Sequence, residues 1–195
     1  MSFLDRLAAA ITPAASDETR AEARRKAEQL AQSEEWLALI LRHHKQIEAL
    51  VDEALGATGA EPRFQAVREL ERVLTGHATA EEAVIYPDVS EFSGKTHAGM
   101  GYEEHAMTKV QMAKLEKMDP MSQEWREKLE HIRSALQQHM YQEEDSWLPD
   151  LVHTLPADEK ARMTRRYVEE YDRYCGKGAA RDEAQGSQLT MPVGA

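Results

Sequence analysis

Apolar residues recur at three- and four-residue steps in four stretches of the chain, and each stretch predicts an amphipathic helix with one buried face. The first runs from about Ser33, the expected N-cap, to Leu55, with Gly56 as its stop and Leu37, Ile40, Leu41, Ile47 and Val51 as its stripe. The second starts near Pro62 and runs toward Tyr86, where Pro87 should end it; its stripe is Phe64, Val67, Leu70, Leu74 and Val84. The third follows a Gly-containing loop around Gly94 to Gly101 and carries Tyr102, Met112 and Leu115. The fourth starts near Ser122 and ends before Pro149, with Trp125, Leu129, Ile132, Leu136 and Trp147 on one face. Four helices joined by short loops predict an all-α, up-down-up-down four-helix bundle over residues 33–152. Two further helices are expected outside it. One lies at about 16–32 within an N-terminal extension (1–32); the other lies within 153–175, packing through Met163, Tyr167, Tyr171 and Tyr174. Residues 176–195 show no stripe and are expected to form a mobile tail.

An internal repeat then changes the picture from a bundle to a bundle with chemistry in it. The second helix ends HATAEEAVIYPDV (77–89) and the fourth ends HMYQEEDSWLPDL (139–151). Laid over one another without a gap, the His, both Glu residues, the Pro and the Asp coincide. The match extends upstream, because 33 residues separate His44 from His77 and 34 separate His105 from His139. Each half is therefore one helix with a His followed by one helix with His-x-x-x-Glu. His44 falls between Ile40 and Ile47, His77 follows Leu74, Glu81 precedes Val84, His139 follows Leu136, and Glu143 precedes Trp147. His105 sits on the stripe from Tyr102 to Met112. Residues four apart share a helix face about 6 Å apart along the axis, so all six polar residues point into the bundle at similar depth.

A lone His on an apolar face is ordinarily a satisfied core residue, but six such residues with two carboxylates are not. Buried ionised carboxylates cost several kcal/mol each unless paired or bound to metal. No Arg lies on these stripes, and Lys109, the one counter-charge near them, cannot serve two carboxylates. A metal site is the preferred reading over a buried His–Glu network.

Composition narrows the metal and the partners. Cys175 is the single cysteine, which excludes an intramolecular disulfide and a Cys-rich zinc or iron–sulfur site. The ligands must then be nitrogen and oxygen. Four imidazoles and two carboxylates exceed one tetrahedral zinc, and calcium and magnesium prefer all-oxygen shells. Imidazole with carboxylate suits two iron ions bridged by the carboxylates, completed by an oxo or hydroxo bridge. That count leaves about one open position per ion, where a small diatomic or peroxide would bind; manganese or a mixed pair satisfies the same donors. A formal net charge of −11 opposes nucleic acid as a partner. There is no apolar run long enough to span a membrane, and Met1–Ile11 reads poorly as a signal peptide, so the expected location is cytoplasmic.

The stretches LRHHKQIEAL (41–50), HATAEEAVIYP (77–87), EEHAMTKV (103–110) and HMYQEEDSWLP (139–149) resemble the hemerythrin-like (HHE cation-binding) family over roughly residues 33–152. The resemblance implies a four-helix bundle around a non-haem di-iron centre, with His44, His77, Glu81, His105, His139 and Glu143 as ligands and the two Glu residues bridging. One departure stands out. Oxygen-carrying members have a fifth His one turn from the third-helix ligand, whereas the neighbours of His105 at that spacing are Gly101 and Lys109. The shortfall implies openings on both ions and favours reaction with O2, peroxide or NO, in stress defence or sensing, over simple oxygen carriage. The alternatives are a reversible O2/NO sensor, or an iron-handling or interaction module whose outer helices dock a partner.

Around the six, Glu82 and Glu144 recur in the repeat and are candidates to hold ligand histidines from behind. Lys109 and His43 join them as candidates, His43 lying off the stripe as a surface or supporting residue. His97 is expected in a loop, and His131 and His153 on the solvated side. The methionines at 107, 112, 118 and 140 read as core filler, and Tyr86 and Trp147 as packing at the end of the bundle.

Overall fold

The computed structural model describes residues 15–181. The reading of Met1–Ile11 and most of the expected tail (182–195) therefore lie outside the described residues. Among the described residues all regular structure is helical: α1 (Asp17–Ala31), α2 (Glu35–Gly56), α3 (Ala60–Ala80), α4 (Lys95–Leu115), α5 (Gln123–Gln142), α6 (Leu148–Thr154) and α7 (Ala157–Cys175). Helices α2 to α5 form the bundle; α7 lies along α3 and α2, and α1 packs on α2 and the far end of α5. No helix among the described residues is long and apolar enough to cross a membrane.

Side-chain caps set two of the starts. Ser16 Oγ accepts from the Thr19 backbone N–H at 3.2 Å, with Asp17 and Glu18 in the first turn, and Ser122 Oγ accepts from Trp125 N–H at 3.1 Å. Ser33 does not cap α2 as the sequence suggested. Its hydroxyl instead donates to the Leu30 carbonyl at 3.3 Å at the end of α1, and α2 begins at Glu35.

The two prolines expected to stop helices do not stop them. Each is preceded by a wide π-helical turn, Glu81–Ile85 before Pro87 and Glu143–Trp147 before Pro149, and the chain stays helical beyond both. A proline lacks the N–H that would reach back to the carbonyl four or five residues earlier. For Pro87 those carbonyls belong to Ala83 and Glu82, and both find other donors. Arg166 reaches Ala83 O at 3.4 Å, and the Tyr102 hydroxyl reaches Glu82 O at 2.9 Å. That bond also places Tyr102, read as a core residue, at the surface with 41% exposure. Phe64 is likewise exposed, capped by Arg68, while Ala66 and Val73 take the buried face of α3. Among the methionines, Met112 and Met140 are buried but Met107 is not.

The expected loop at 94–101 is mostly helix. Gly94, at φ 138°, ends a second π turn (Val89–Ser93), and α4 starts at Lys95. His97 is therefore helical, accepting from or donating to Ser93 Oγ at 3.0 Å and stacking on Trp147. Gly101 sits inside α4 because a Cβ there would come within 2.7 Å of the Tyr86 ring. Gly101 marks close packing, not a loop.

The apolar interior divides into two clusters. One is built on Trp36, Ile40, Ile85, Leu148 and Tyr167, the other on Ile47, Leu70, Leu115, Leu129 and Ile132. The six polar residues of the repeat form a layer between them, since His44 lies between Ile40 and Ile47 and His139 between Leu136 and Trp147.

Candidate metal centre

Helices α2 to α5, with the two π turns that extend α3 and α5, bring all six residues of the repeat to this layer. His44 comes from α2, His77 from α3, His105 from α4 and His139 from α5. Glu81 and Glu143 each open a π turn, which widens the helix at the residue that faces the centre. Ligand atoms of His44, His77, Glu81 and Glu143 lie within 4.8 Å of one another, as do those of Glu81, His105 and His139. The two sets share Glu81, and Glu143 Oε1 is 3.6 Å from His139 Nε2. The arrangement is two adjoining donor sets joined by carboxylates.

Each of these four histidines presents Nε2 to the centre and Nδ1 to a partner behind it. His44 Nδ1–H donates to Glu144 at 2.7 Å, His105 Nδ1–H to Glu82 at 3.2 Å, and His139 Nδ1–H to Glu104 at 2.8 Å. His77 Nδ1–H reaches the Tyr167 hydroxyl at 3.1 Å. A hydrogen bond at Nδ1 makes Nε2 the atom that faces inward and can bind a metal, and holds each ring in that orientation. Glu144 and Glu82 thus sit behind two of the histidines. Lys109 does not enter the core; it is half exposed and donates to Glu82 at 3.0 Å. The core's nearer counter-charge is Arg24 of α1, which holds Glu144 at 2.8 Å and Glu48 at 2.8 Å.

His43 is not at the surface. It is buried, accepts from the Tyr167 hydroxyl at 2.9 Å, donates from Nε2 to Ala180 O at 3.3 Å, and stacks on Tyr171. Ala180 is itself fully buried and its N–H donates to Asp172 at 2.8 Å, so the chain is anchored at 180 where the sequence suggested a mobile tail. His131 and His153 are exposed, as read from the pattern.

Sequence reasoning missed Glu104, Tyr167, Arg24 and the place of Tyr86. Glu104 adjoins His105 but offers no stripe signal, and Tyr167 reads as packing because its ring does pack. Arg24 lies on a helix outside the bundle. Tyr86 does not cap the bundle end: it is fully buried, and its hydroxyl donates to Glu143 Oε1 at 3.0 Å beside His105 Nε2 at 3.1 Å.

The charge in this layer asks for a cation. Glu81 and Glu143 are completely buried, and His44 Nε2, both Glu81 oxygens and Glu143 Oε2 have no hydrogen-bond partner. His44 Nε2 and Glu143 Oε2 lie 3.2 Å apart without hydrogen-bond alignment. In the metal-free chain the protonation states compensate. Burial, and then the Glu143 charge, push the Glu81 carboxyl well up. Burial opposes ionisation of Glu143 too, but His139 and His44 outweigh it and hold Glu143 at about 2. Burial works against protonated His44, yet Glu143 and Glu144 raise it to about 9. At neutral pH His44 therefore carries a proton that a metal must displace, and Glu81 holds its proton more tightly than an ordinary carboxyl. Loading with ferrous iron should release at least one proton per chain, and affinity should rise with pH as His44 approaches its own pKa. Calorimetry in buffers of different ionisation enthalpy reads the release. Affinity that stays flat between about pH 6 and pH 9 contradicts it.

The buried His/Glu groups suit metal binding: four inward imidazoles, two carboxylates with unpartnered oxygens, and a firm support behind each ring. The chain is 22% identical over 129 residues to a DNA nickase from Nostoc sp., a match covering 66% of this chain and 37% of that protein. It thus spans little more than a third of that relative's length. No solved structure matches. Residues 35–151 match the hemerythrin HHE cation binding domain, and with that match running over the four-helix bundle and all six buried His and Glu residues, the chain belongs to this family.

Proposed function

We propose that the chain is a non-haem di-iron protein that binds and reacts with O2, peroxide or NO, in stress defence or sensing. One observation carries the reading: two fully buried carboxylates with unpartnered oxygens stand among four inward-facing imidazole nitrogens, in two sets that share Glu81. Bound iron would supply one-electron redox chemistry and positions for a small ligand. The protein's own residues supply the rest. Glu144, Glu82, Glu104 and Tyr167 hold the imidazoles in place, and the two apolar clusters keep bulk water from the layer.

A cavity of about 80 Å³ opens beside His77, His105 and His139, walled by Ile47, Leu74, Met112, Leu136 and Met140. It has room for a few water-sized molecules and not for an organic substrate. Its lining also includes Glu71, Thr75, Thr108 and Lys109, and its size fits O2, NO and peroxide.

The outer helices, which made an interaction module a candidate, have work at the centre: α1 supplies Arg24 and α7 supplies Tyr167. The nicking activity named for the Nostoc relative is not carried over, because a net charge of −11 opposes a phosphate backbone.

The test is metal analysis followed by oxygen exposure. About two irons per chain are expected after purification with iron supplied, and anaerobically reduced protein should oxidise promptly and irreversibly on adding O2. Oxidation that reverses when O2 is withdrawn overturns the reactive version in favour of a reversible sensor. Near-zero metal overturns the centre itself.

A further inference from the structure

The phenol of Tyr86 has no role in the six-residue donor set, yet it stands inside it. Tyr86 is fully buried, and its hydroxyl lies 3.0 Å from Glu143 Oε1, 3.1 Å from His105 Nε2 and 3.4 Å from His139 Nε2. The two Nε2 atoms are themselves 3.0 Å apart. Both rings already donate from Nδ1, to Glu82 and Glu104, so in the neutral form that can bind a metal each ring turns its Nε2 lone pair inward. A single phenol proton can satisfy only one of the three facing acceptors. Four lone-pair donors therefore converge: two nitrogens, a carboxylate oxygen and the phenol oxygen.

The space for this ring is cleared on purpose by a neighbour. A Cβ at Gly101 would approach Tyr86 Cζ, Cε2 and the hydroxyl oxygen at 2.7, 2.8 and 2.9 Å. Any side chain at 101 would thus need the place that the phenol holds. Position 101 is one turn before His105, where the sequence lacks a fifth histidine. The ring is further held by stacking on His105 at 5.2 Å and by an edge contact with Tyr102.

We infer that Tyr86 is a metal ligand, its phenolate oxygen binding the ion held by His105 and His139 in the place that a side chain at position 101 would otherwise occupy. The inference rests on the di-iron reading above. On binding, the phenol O–H bond breaks, an oxygen–metal bond forms, the proton leaves to solvent, and no electron is transferred. The two ions then differ. The His105/His139 ion gains an oxygen donor, and the opening expected on both ions from the sequence remains on the His44/His77 side.

A ferric ion bound to phenolate has a charge-transfer absorption in the visible, and exciting it enhances tyrosine ring vibrations in the Raman spectrum. The full chain is loaded with iron, oxidised, and its iron content measured before both spectra are recorded. The wild type should show the band and the ring modes. Tyr86→Phe should retain about two irons and lose both signals, and Gly101→Ala, which displaces the ring, should weaken them. Tyr174→Phe, at an exposed tyrosine, should leave them unchanged. Iron-loaded wild type without phenolate modes, or Tyr86→Phe that keeps them, overturns the inference and leaves the di-iron reading standing. A chain that takes up no iron overturns both. The wild-type spectrum decides the matter even where Tyr86→Phe does not fold.

Discussion

Replacing Glu81 with Met should move stability in opposite directions with and without metal. Glu81 is fully buried, neither oxygen has a hydrogen-bond partner, and burial together with Glu143 disfavours its charge. In the metal-free chain its removal takes away an unpaired buried polar group. A buried polar group without a partner costs about 1–3 kcal/mol, which an apolar side chain of similar volume recovers. Metal-free Glu81→Met should therefore melt higher than metal-free wild type. With iron present the order reverses. Glu81 belongs to both donor sets, so its loss should take iron from about two per chain to below one. The stabilisation that metal confers, about 2.7 kcal/mol when free metal is one hundred times its Kd, should vanish with it. Melting curves with and without a chelator, alongside iron analysis, read both halves. A variant that still binds two irons, or a metal-free variant that melts lower than wild type, contradicts the account of Glu81 as a group retained for metal.

Tyr167→Phe should weaken the site from outside it. One hydroxyl serves two buried histidines: it donates to His43 Nδ1 at 2.9 Å and accepts from His77 Nδ1–H at 3.1 Å. The sense of the chain follows from its ends. His43 Nε2–H must donate to the Ala180 carbonyl, which leaves His43 Nδ1 as the acceptor and the tyrosine proton as its donor. His77 Nδ1 then carries its proton outward, and its Nε2 lone pair faces the centre. Burial lowers both histidines, His43 to about 3, and raises the Tyr167 hydroxyl, so all three stay neutral and the tautomers are fixed. Phenylalanine preserves the ring packing but strands both Nδ1 atoms, at about 1–3 kcal/mol each. Metal affinity should fall by about 10–100-fold, because His77 is free to turn. Melting of the metal-free variant within experimental error of wild type, with unchanged affinity, would show that α7 merely covers the bundle.

These two residues show where sequence reading reaches and where it stops. Glu81 was legible because it repeats. A charged residue on an apolar stripe, matched by another in the same frame, is a local pattern that helix geometry converts directly into a shared depth. Tyr167 was legible only as a packing residue, since its ring is apolar and its hydroxyl finds partners 90 and 124 residues away. Glu104 and Arg24 escaped for the same reason. The prolines and glycines misled in a more instructive way. Pro87 and Pro149 ordinarily end helices, but each follows a π turn and the chain stays helical, and for Pro87 the donors Arg166 and Tyr102 satisfy the carbonyls it frees. Gly101 looked like part of a loop because glycine is costly in a helix. Its reason for being there, the Tyr86 ring against its α-hydrogen, is a contact between two helices.

The hydrophobic period and the doubled His-x-x-x-Glu, both local along the chain, determined by themselves that four helices form and that six polar residues face one layer. Helical periodicity is a short-range property, and a bundle follows from burying four apolar stripes at once. Only the tertiary structure decided what stands behind each imidazole, which neighbour supplies the counter-charge, and that a tyrosine fills the position left by a glycine. Those choices depend on distances between residues far apart in the chain, which no spacing along it records.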